Sequence, residues 1–147
     1  LNTTETDVLC RVRSGGLLES RKGVNLPGLE LDLESPTEKD LHDLYLGLEL
    51  GVDYIALSFV RSYRDIVELR RVMQERGSDI PIVAKIEKRE AVADLEAVVR
   101  EADAVMVARG DLGVEMDLEE IPLLQKRIIA VAARQGKPVP PPRCCRA

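Results

Sequence analysis

Residues 80–108 read IPIVAKIEKREAVADLEAVVREADAVMVA. Two short apolar runs, Ile80–Ile86 and Asp103–Ala108, flank a stretch in which Ala91, Val92, Leu95, Val98 and Val99 recur at helical spacing. Apolar runs of this length, without strict alternation, are what strands buried on both faces look like. A strand, a helix and a second strand in this order form the unit that joins parallel neighbours, with a right-handed crossover. The core of the chain is therefore expected to be a parallel α/β layer.

The same rhythm continues outward in both directions. Val52–Val60, VDYIALSFV, reads as a third buried strand. Ser62, with Asp65 three residues later, starts a helix whose stripe is Ile66, Leu69 and Met73 and which Gly77 stops. Earlier still, Ser35-Pro36-Thr37-Glu38 reads as a capping box with Pro at the first helical position. Leu41, Leu44, Tyr45 and Leu48 follow, and Gly51 ends that helix. After the last strand, Asp117 and Glu120 open a helix with Ile121, Leu124, Ile128 and Val131, ending at Gly136. The order is α-β-α-β-α-β-α: three parallel strands and four helices. A Rossmann-like sheet and a (β/α)8 barrel both use this unit. A barrel needs roughly 250 residues, so these 147 hold only part of one.

The two ends differ from this middle. Val8–Val12 reads as a strand, Ser14-Gly15-Gly16 as a turn and Leu17 onward as the returning strand of a hairpin. Residues 24–36 read as a loop around Pro27-Gly28. Residues 138–147, PVPPPRCCRA, end any regular structure. The chain begins with Leu rather than Met, which reads as a fragment.

Composition narrows the partners. Hydrophobic residues are 45%, charged residues 32% and aromatics 3%, with no Trp, so the core must be built from Leu, Val, Ile and Ala. The net charge of −5, with no basic cluster interleaved with aromatics, argues against nucleic acid and against anionic membrane surfaces. Cys10, Cys144 and Cys145 form neither a disulfide framework nor a zinc pattern. No apolar run approaches a membrane span and no secretory signal is visible, so the default expectation is cytoplasmic.

Polar residues gather where each apolar run ends: Ser58-Phe59-Val60-Arg61, Lys85-Ile86-Glu87, and Arg109-Gly110-Asp111-Leu112-Gly113. Parallel α/β folds bind ligands at the carboxyl ends of their strands. Lys85 and Glu87, two apart on a strand, point to one side. Glu87 and Asp111 are two carboxylates from neighbouring strand ends, the protein share of a typical Mg²⁺ shell. Beside such an ion, Lys85 would stabilise negative charge on an enolate. Gly110 and Gly113 would let the backbone approach an anion, with the Gly110 and Asp111 amides as donors. On their own these residues also have plainer readings. Lys-x-Glu is more often a solvated pair, Gly-Asp-Leu-Gly most often a turn, and Ser58 and Arg61 suit a helix cap. Glu115–Glu120 reads as a solvated helix start, and His42 is assigned nothing.

Four stretches decide between these readings. Lys22-Gly23-Val24-Asn25-Leu26-Pro27-Gly28, Ser58-Phe59-Val60-Arg61, Ala84-Lys85-Ile86-Glu87 and Met106–Glu115, MVARGDLGVE, resemble motifs of the pyruvate kinases, in that family's order and near its spacing. The resemblance covers about residues 8 to 139. It implies a partial (β/α)8 TIM barrel over residues 24–139. Residues 1–23 would be a remnant of the small β-barrel lid domain, and residues 140–147 an aberrant tail. It implies phosphoryl transfer from phosphoenolpyruvate to ADP, giving pyruvate and ATP, with Mg²⁺ or Mn²⁺ and usually K⁺. Lys85 would be the catalytic lysine that stabilises the enolate. Glu87 and Asp111 would be the metal ligands. Lys85, Gly110 and Asp111 would bind substrate, and Arg109 would buttress the site or a subunit contact. The family is homotetrameric; the sequence does not set an oligomeric state here.

Departures from the family matter as much. Its first three barrel strands, its phosphate-gripping arginine, its K⁺ ligands, its last two barrel strands and its C-terminal domain have no counterpart in this sequence. After Lys137-Pro138-Val139 the family continues a buried strand, where this chain reads PPPRCCRA. A reading-frame error or a truncated gene is the expectation, and the chain is expected to be inactive alone. The alternatives are a non-catalytic decayed fragment or interaction module, and another phosphoenolpyruvate/pyruvate barrel enzyme such as a metal-dependent aldolase. The last would leave Lys22–Gly28 unexplained.

Overall fold

A computed structural model describes residues 2–17, 19–20 and 36–140. The Lys22–Gly28 motif, Ser35 and residues 141–147 lie outside the described residues.

Near the N-terminus, β1 (Asn2–Thr3) pairs antiparallel with β2 (Val8–Leu9). The first expected strand, Val8–Val12, is shortened to Val8–Leu9, which pairs backward with Asn2–Thr3; residues 10–17 form no strand, and the expected returning strand from Leu17 falls largely outside the described residues. The turn between β1 and β2 explains the choice. The Thr4 amide donates to the Asp7 carbonyl at 2.9 Å. The Thr4 hydroxyl accepts from the amides of Thr6 at 3.3 Å and Asp7 at 2.9 Å, closing a short polar loop.

Helix α1 (Glu38–Leu50) is capped by Thr37, not by Ser35. The Thr37 hydroxyl accepts from the Asp40 amide at 3.2 Å, and the Asp40 carboxylate accepts from the Thr37 amide at 2.9 Å. Pro36 precedes the cap rather than opening the helix. Gly51, at φ 68°, ends it in the left-handed region that glycine takes without steric cost. The first core strand, β3, is only Ile55–Leu57. It was expected to be buried, yet Ala56 is exposed and its neighbours are half-buried. Its one partner among the described residues is β4, so a strand with core-type sequence lies here at a sheet edge.

Helix α2 (Tyr63–Glu75) starts at Ser62 with the expected capping box, and buries Ile66, Leu69, Val72 and Met73. Strand β4 (Ile82–Ile86) is the centre of the sheet. The helix that follows is broken into α3 (Arg89–Ala93) and α4 (Leu95–Glu101) at Asp94. The Asp94 carboxylate accepts from the Tyr63 amide at 3.0 Å, tying the first turn of α2 to the break. Strand β5 is Ala104–Val107. Then comes an element the periodicity missed, the short helix α5 (Arg109–Glu115), and finally α6 (Ile121–Arg134).

Strands β3, β4 and β5 form a parallel sheet in that order, with Leu57 opposite Ala84 and Ile86 opposite Val107. Every crossover runs through a helix, as βαβ units require. The sheet is open: three strands of a partial barrel. The Val105 amide donates to the Pro138 carbonyl at 3.0 Å, so the chain runs alongside β5 again after α6. One continuous core joins Ile82, Ala84, Ile86, Val105 and Val107 to α2, α4 and α6. At the amino ends of the strands, Asp103 accepts from the Ile82 amide and from Arg70, both at 2.8 Å. No helix among the described residues is long and apolar enough to cross a membrane.

Candidate active site at the strand ends

The parallel register sets the carboxyl ends of β3, β4 and β5 side by side. Lys85 is the penultimate residue of β4, and Glu87 follows its last. Side-chain alternation sends both the same way, and they meet: Lys85 Nζ lies 2.5 Å from Glu87 Oε1. Glu87 is buried, with 2% of its surface exposed. A buried carboxylate is costly unless paired and hydrogen-bonded, and here both oxygens are engaged. Oε2 accepts from the Phe59 amide at 2.8 Å. Lys85 also donates to the Ser58 hydroxyl at 2.9 Å. The corner after β3 thus holds both Lys85 of β4 and Glu87 just beyond it. Phe59 takes φ 55°, the left-handed region that non-glycine residues seldom occupy.

The end of β5 contributes a helix start rather than a loop. The Ala108 amide donates to the Ile86 carbonyl at 3.2 Å, so Ala108 lies abreast of the end of β4. Arg109 opens α5, and Gly110 and Asp111 occupy its exposed first turn. The structure therefore brings Lys85, Glu87 and Ser58 into one bonded group and leaves Asp111 outside it. Among the described residues no set of three or more His, Cys, Asp or Glu side chains is gathered as for a metal. The hard oxygen donors available are Glu87 and Asp111, to which waters and substrate oxygens would have to be added. A Cβ on Gly113 would come within 2.8 Å of a Leu118 methyl, so its smallness serves packing between α5 and the next turn. Gly110 has open space around it.

One pair in this region escaped the sequence reading. Lys88 forms an ion pair with Glu115, the last residue of α5, whose side chain is only 6% exposed. Glu115 is thus no part of a solvated helix start. The two are far apart in sequence and share no periodicity, so only the fold pairs them.

A parallel sheet with crossover helices, and with charged side chains gathered at its carboxyl ends, defines a protein of the α/β class. Residues 1–141 match the family model described as "Pyruvate kinase, barrel domain". The chain belongs to the pyruvate kinase family. It is 51% identical over 139 residues to pyruvate kinase 2 of Synechocystis, covering 95% of this chain and 24% of that protein. It is 53% identical over 133 residues to the pyruvate kinase of Corynebacterium efficiens, covering 90% of this chain and 28% of that protein. To the Bacillus licheniformis pyruvate kinase it is 44% identical over 140 residues, 95% of this chain and 24% of that one. The chain thus spans about a quarter of the length of these curated relatives.

Proposed function

We propose that these residues form half of a site that transfers a phosphoryl group from phosphoenolpyruvate to ADP, and that the 147 residues alone do not turn over. The observation that carries the reading is the Lys85–Glu87 pair at the end of β4, its carboxylate buried and its ammonium partly exposed, held by Ser58 and by the Phe59 amide. A buried carboxylate that holds a partly exposed ammonium at a strand end suits electrostatic work on a substrate better than it suits stability.

In this reading Glu87 and Asp111 hold Mg²⁺ or Mn²⁺, which when bound would offset negative charge on the substrate oxygens. As the bond between phosphorus and the enol oxygen breaks, that oxygen gains negative charge. Lys85 supplies positive charge and N–H donors to it, and Ser58 fixes where the ammonium points. The Gly110 and Asp111 amides, at the start of α5, face a substrate carboxylate.

The test is a segment exchange. Residues 8–139 replace the matching segment of the Corynebacterium efficiens relative, and pyruvate formation is followed by a coupled lactate dehydrogenase assay. The exchanged enzyme is expected to turn over, and Lys85→Met in it to lower kcat by roughly a hundredfold or more with Mn²⁺ binding retained. Near-normal kcat in the Lys85→Met enzyme would remove Lys85 from its role. The 147-residue chain alone is expected to stay at background. Turnover well above it, with contaminating enzyme excluded, would overturn that part.

A further inference from the structure

We propose that Lys88 and Glu115 form a clasp that positions α5, and with it Gly110 and Asp111, over the carboxyl ends of the strands. The inference rests on the reading of Asp111 as a site residue.

The observations come from all three strand ends. Lys88 Nζ pairs with Glu115 Oε1, and both side chains are largely shielded, at 18% and 6% exposure. The neighbouring Arg89 donates from Nη2 to the Glu115 carbonyl at 3.0 Å. Two cations thus meet the carboxyl end of α5, where helix carbonyls lack intrahelical partners and positive charge is favoured. On its other side Lys88 Nζ lies 6.0 Å from the centroid of the Phe59 ring, the outer range of a cation–π contact. Lys88 therefore touches the corner after β3 and the end of α5 while belonging to the turn after β4.

A clasp is needed because α5 is weak by itself. It spans seven residues, two of them glycine, and has no side-chain cap at its start. A helix so short is marginal in water without tertiary support. Among its buried residues only Leu112 anchors it to the core. The Lys88–Glu115 pair fixes its far end. With Leu112 in the middle, the orientation of the first turn, where Asp111 sits, is then set.

Two readouts separate the clasp from the metal reading. The first is amide hydrogen exchange at Leu112 and Met116, whose N–H groups donate to Ala108 at 3.0 Å and to Leu112 at 2.9 Å. In Lys88→Met, exchange at these amides is expected to rise about tenfold or more while the amides of β4 and α2 stay unchanged. Lys88→Arg is expected to restore protection. Glu115→Gln keeps the shape and serves as a milder second variant should Lys88→Met fail to fold. Unchanged exchange in α5, or a rise spread evenly over the whole chain, would overturn the proposal. The second readout is Mn²⁺ binding by electron paramagnetic resonance, expected to weaken several-fold in Lys88→Met. If the unsubstituted chain binds no Mn²⁺, the metal reading falls, and the clasp stands or falls on the exchange data alone.

Discussion

The Phe59 amide donates to Glu87 Oε2 at 2.8 Å from a backbone held at φ 55°. A left-handed phenylalanine costs about 1–2 kcal/mol, and the buried carboxylate gains a charge-assisted hydrogen bond that offsets it. The ring itself is mostly exposed, so little packing depends on it. Phe59→Gly is therefore expected to leave stability within about 0.5 kcal/mol of the parent, because the relieved strain balances the added chain entropy. Phe59→Pro removes the donor and cannot adopt a positive φ, and is expected to lose about 2 kcal/mol or more. Urea unfolding of the two variants checks this, and equal stabilities would contradict it.

Lys85 and Glu87 should behave as one unit. Lys85→Met strips the main partner from a carboxylate that is 2% exposed. Lys85 is itself 26% exposed, so breaking the pair costs less than for a fully buried one, on the order of 1–3 kcal/mol. In the double variant Lys85→Met, Glu87→Gln no uncompensated charge remains. Much of the lost stability is expected to return, giving a coupling on the order of 1–3 kcal/mol in a double-mutant cycle. Additive losses would mean that water already screens the pair.

Most of the sheet and its helices could be read from residue spacing, because Ile82–Ile86, Ala104–Val107 and the stripes of α2 and α6 bury the residues their periods assign. The break at Asp94 could not, since it depends on a carboxylate reaching the Tyr63 amide from another element. Helix α5 could not either: Arg109–Glu115 carries two glycines and a single buried residue, and it leans on Lys88 and Arg89. At the site, alternation foretold that Lys85 and Glu87 share a side. Nothing in the spacing foretold that Ser58 and Phe59 would hold them, because that contact depends on strand register and on one positive φ.

Asp103 gives the fold a testable dependence on pH. Burial disfavours its charged form, but the Ile82 amide, the Arg70 guanidinium and the charge of Lys137 outweigh that and hold its pKa below the ordinary carboxylate value. A carboxyl group whose pKa is lower folded than unfolded contributes fully above the ordinary range and loses that contribution as pH falls through the folded value. Asp103→Asn is thus expected to destabilise the fold at neutral pH, by less than loss of a fully buried carboxylate would, because the side chain is 37% exposed. The gap from the parent should narrow as the pH is lowered to about 3. Denaturant midpoints of both proteins across this range decide it, and a gap that stays constant would show that the charge is irrelevant.

Glu87 and Asp111 are expected to share one divalent ion. Strands β4 and β5 are parallel neighbours about 4.8 Å apart, with Ile86 opposite Val107. Glu87 stands one residue beyond that pair, and Asp111 lies on the first turn of α5 just past Ala108. Glu87 spends one lone pair of each oxygen on Lys85 and on the Phe59 amide, which leaves one free on each for a cation. Mg²⁺ or Mn²⁺ binds carboxylate oxygens at about 2.1 Å, so sharing an ion requires the exposed Asp111 side chain to turn toward Glu87. If it does, Glu87→Gln and Asp111→Asn should each weaken Mn²⁺ binding about tenfold or more. The double variant should be little worse than either single one, because the same ion is lost each time. Glu68→Gln is the control: that carboxylate is committed to Arg71 on the outer face of α2 and should leave Mn²⁺ affinity unchanged. Full Mn²⁺ affinity in Asp111→Asn, with a loss only in Glu87→Gln, would take Asp111 out of the metal site and leave Glu87 as its only carboxylate among these residues.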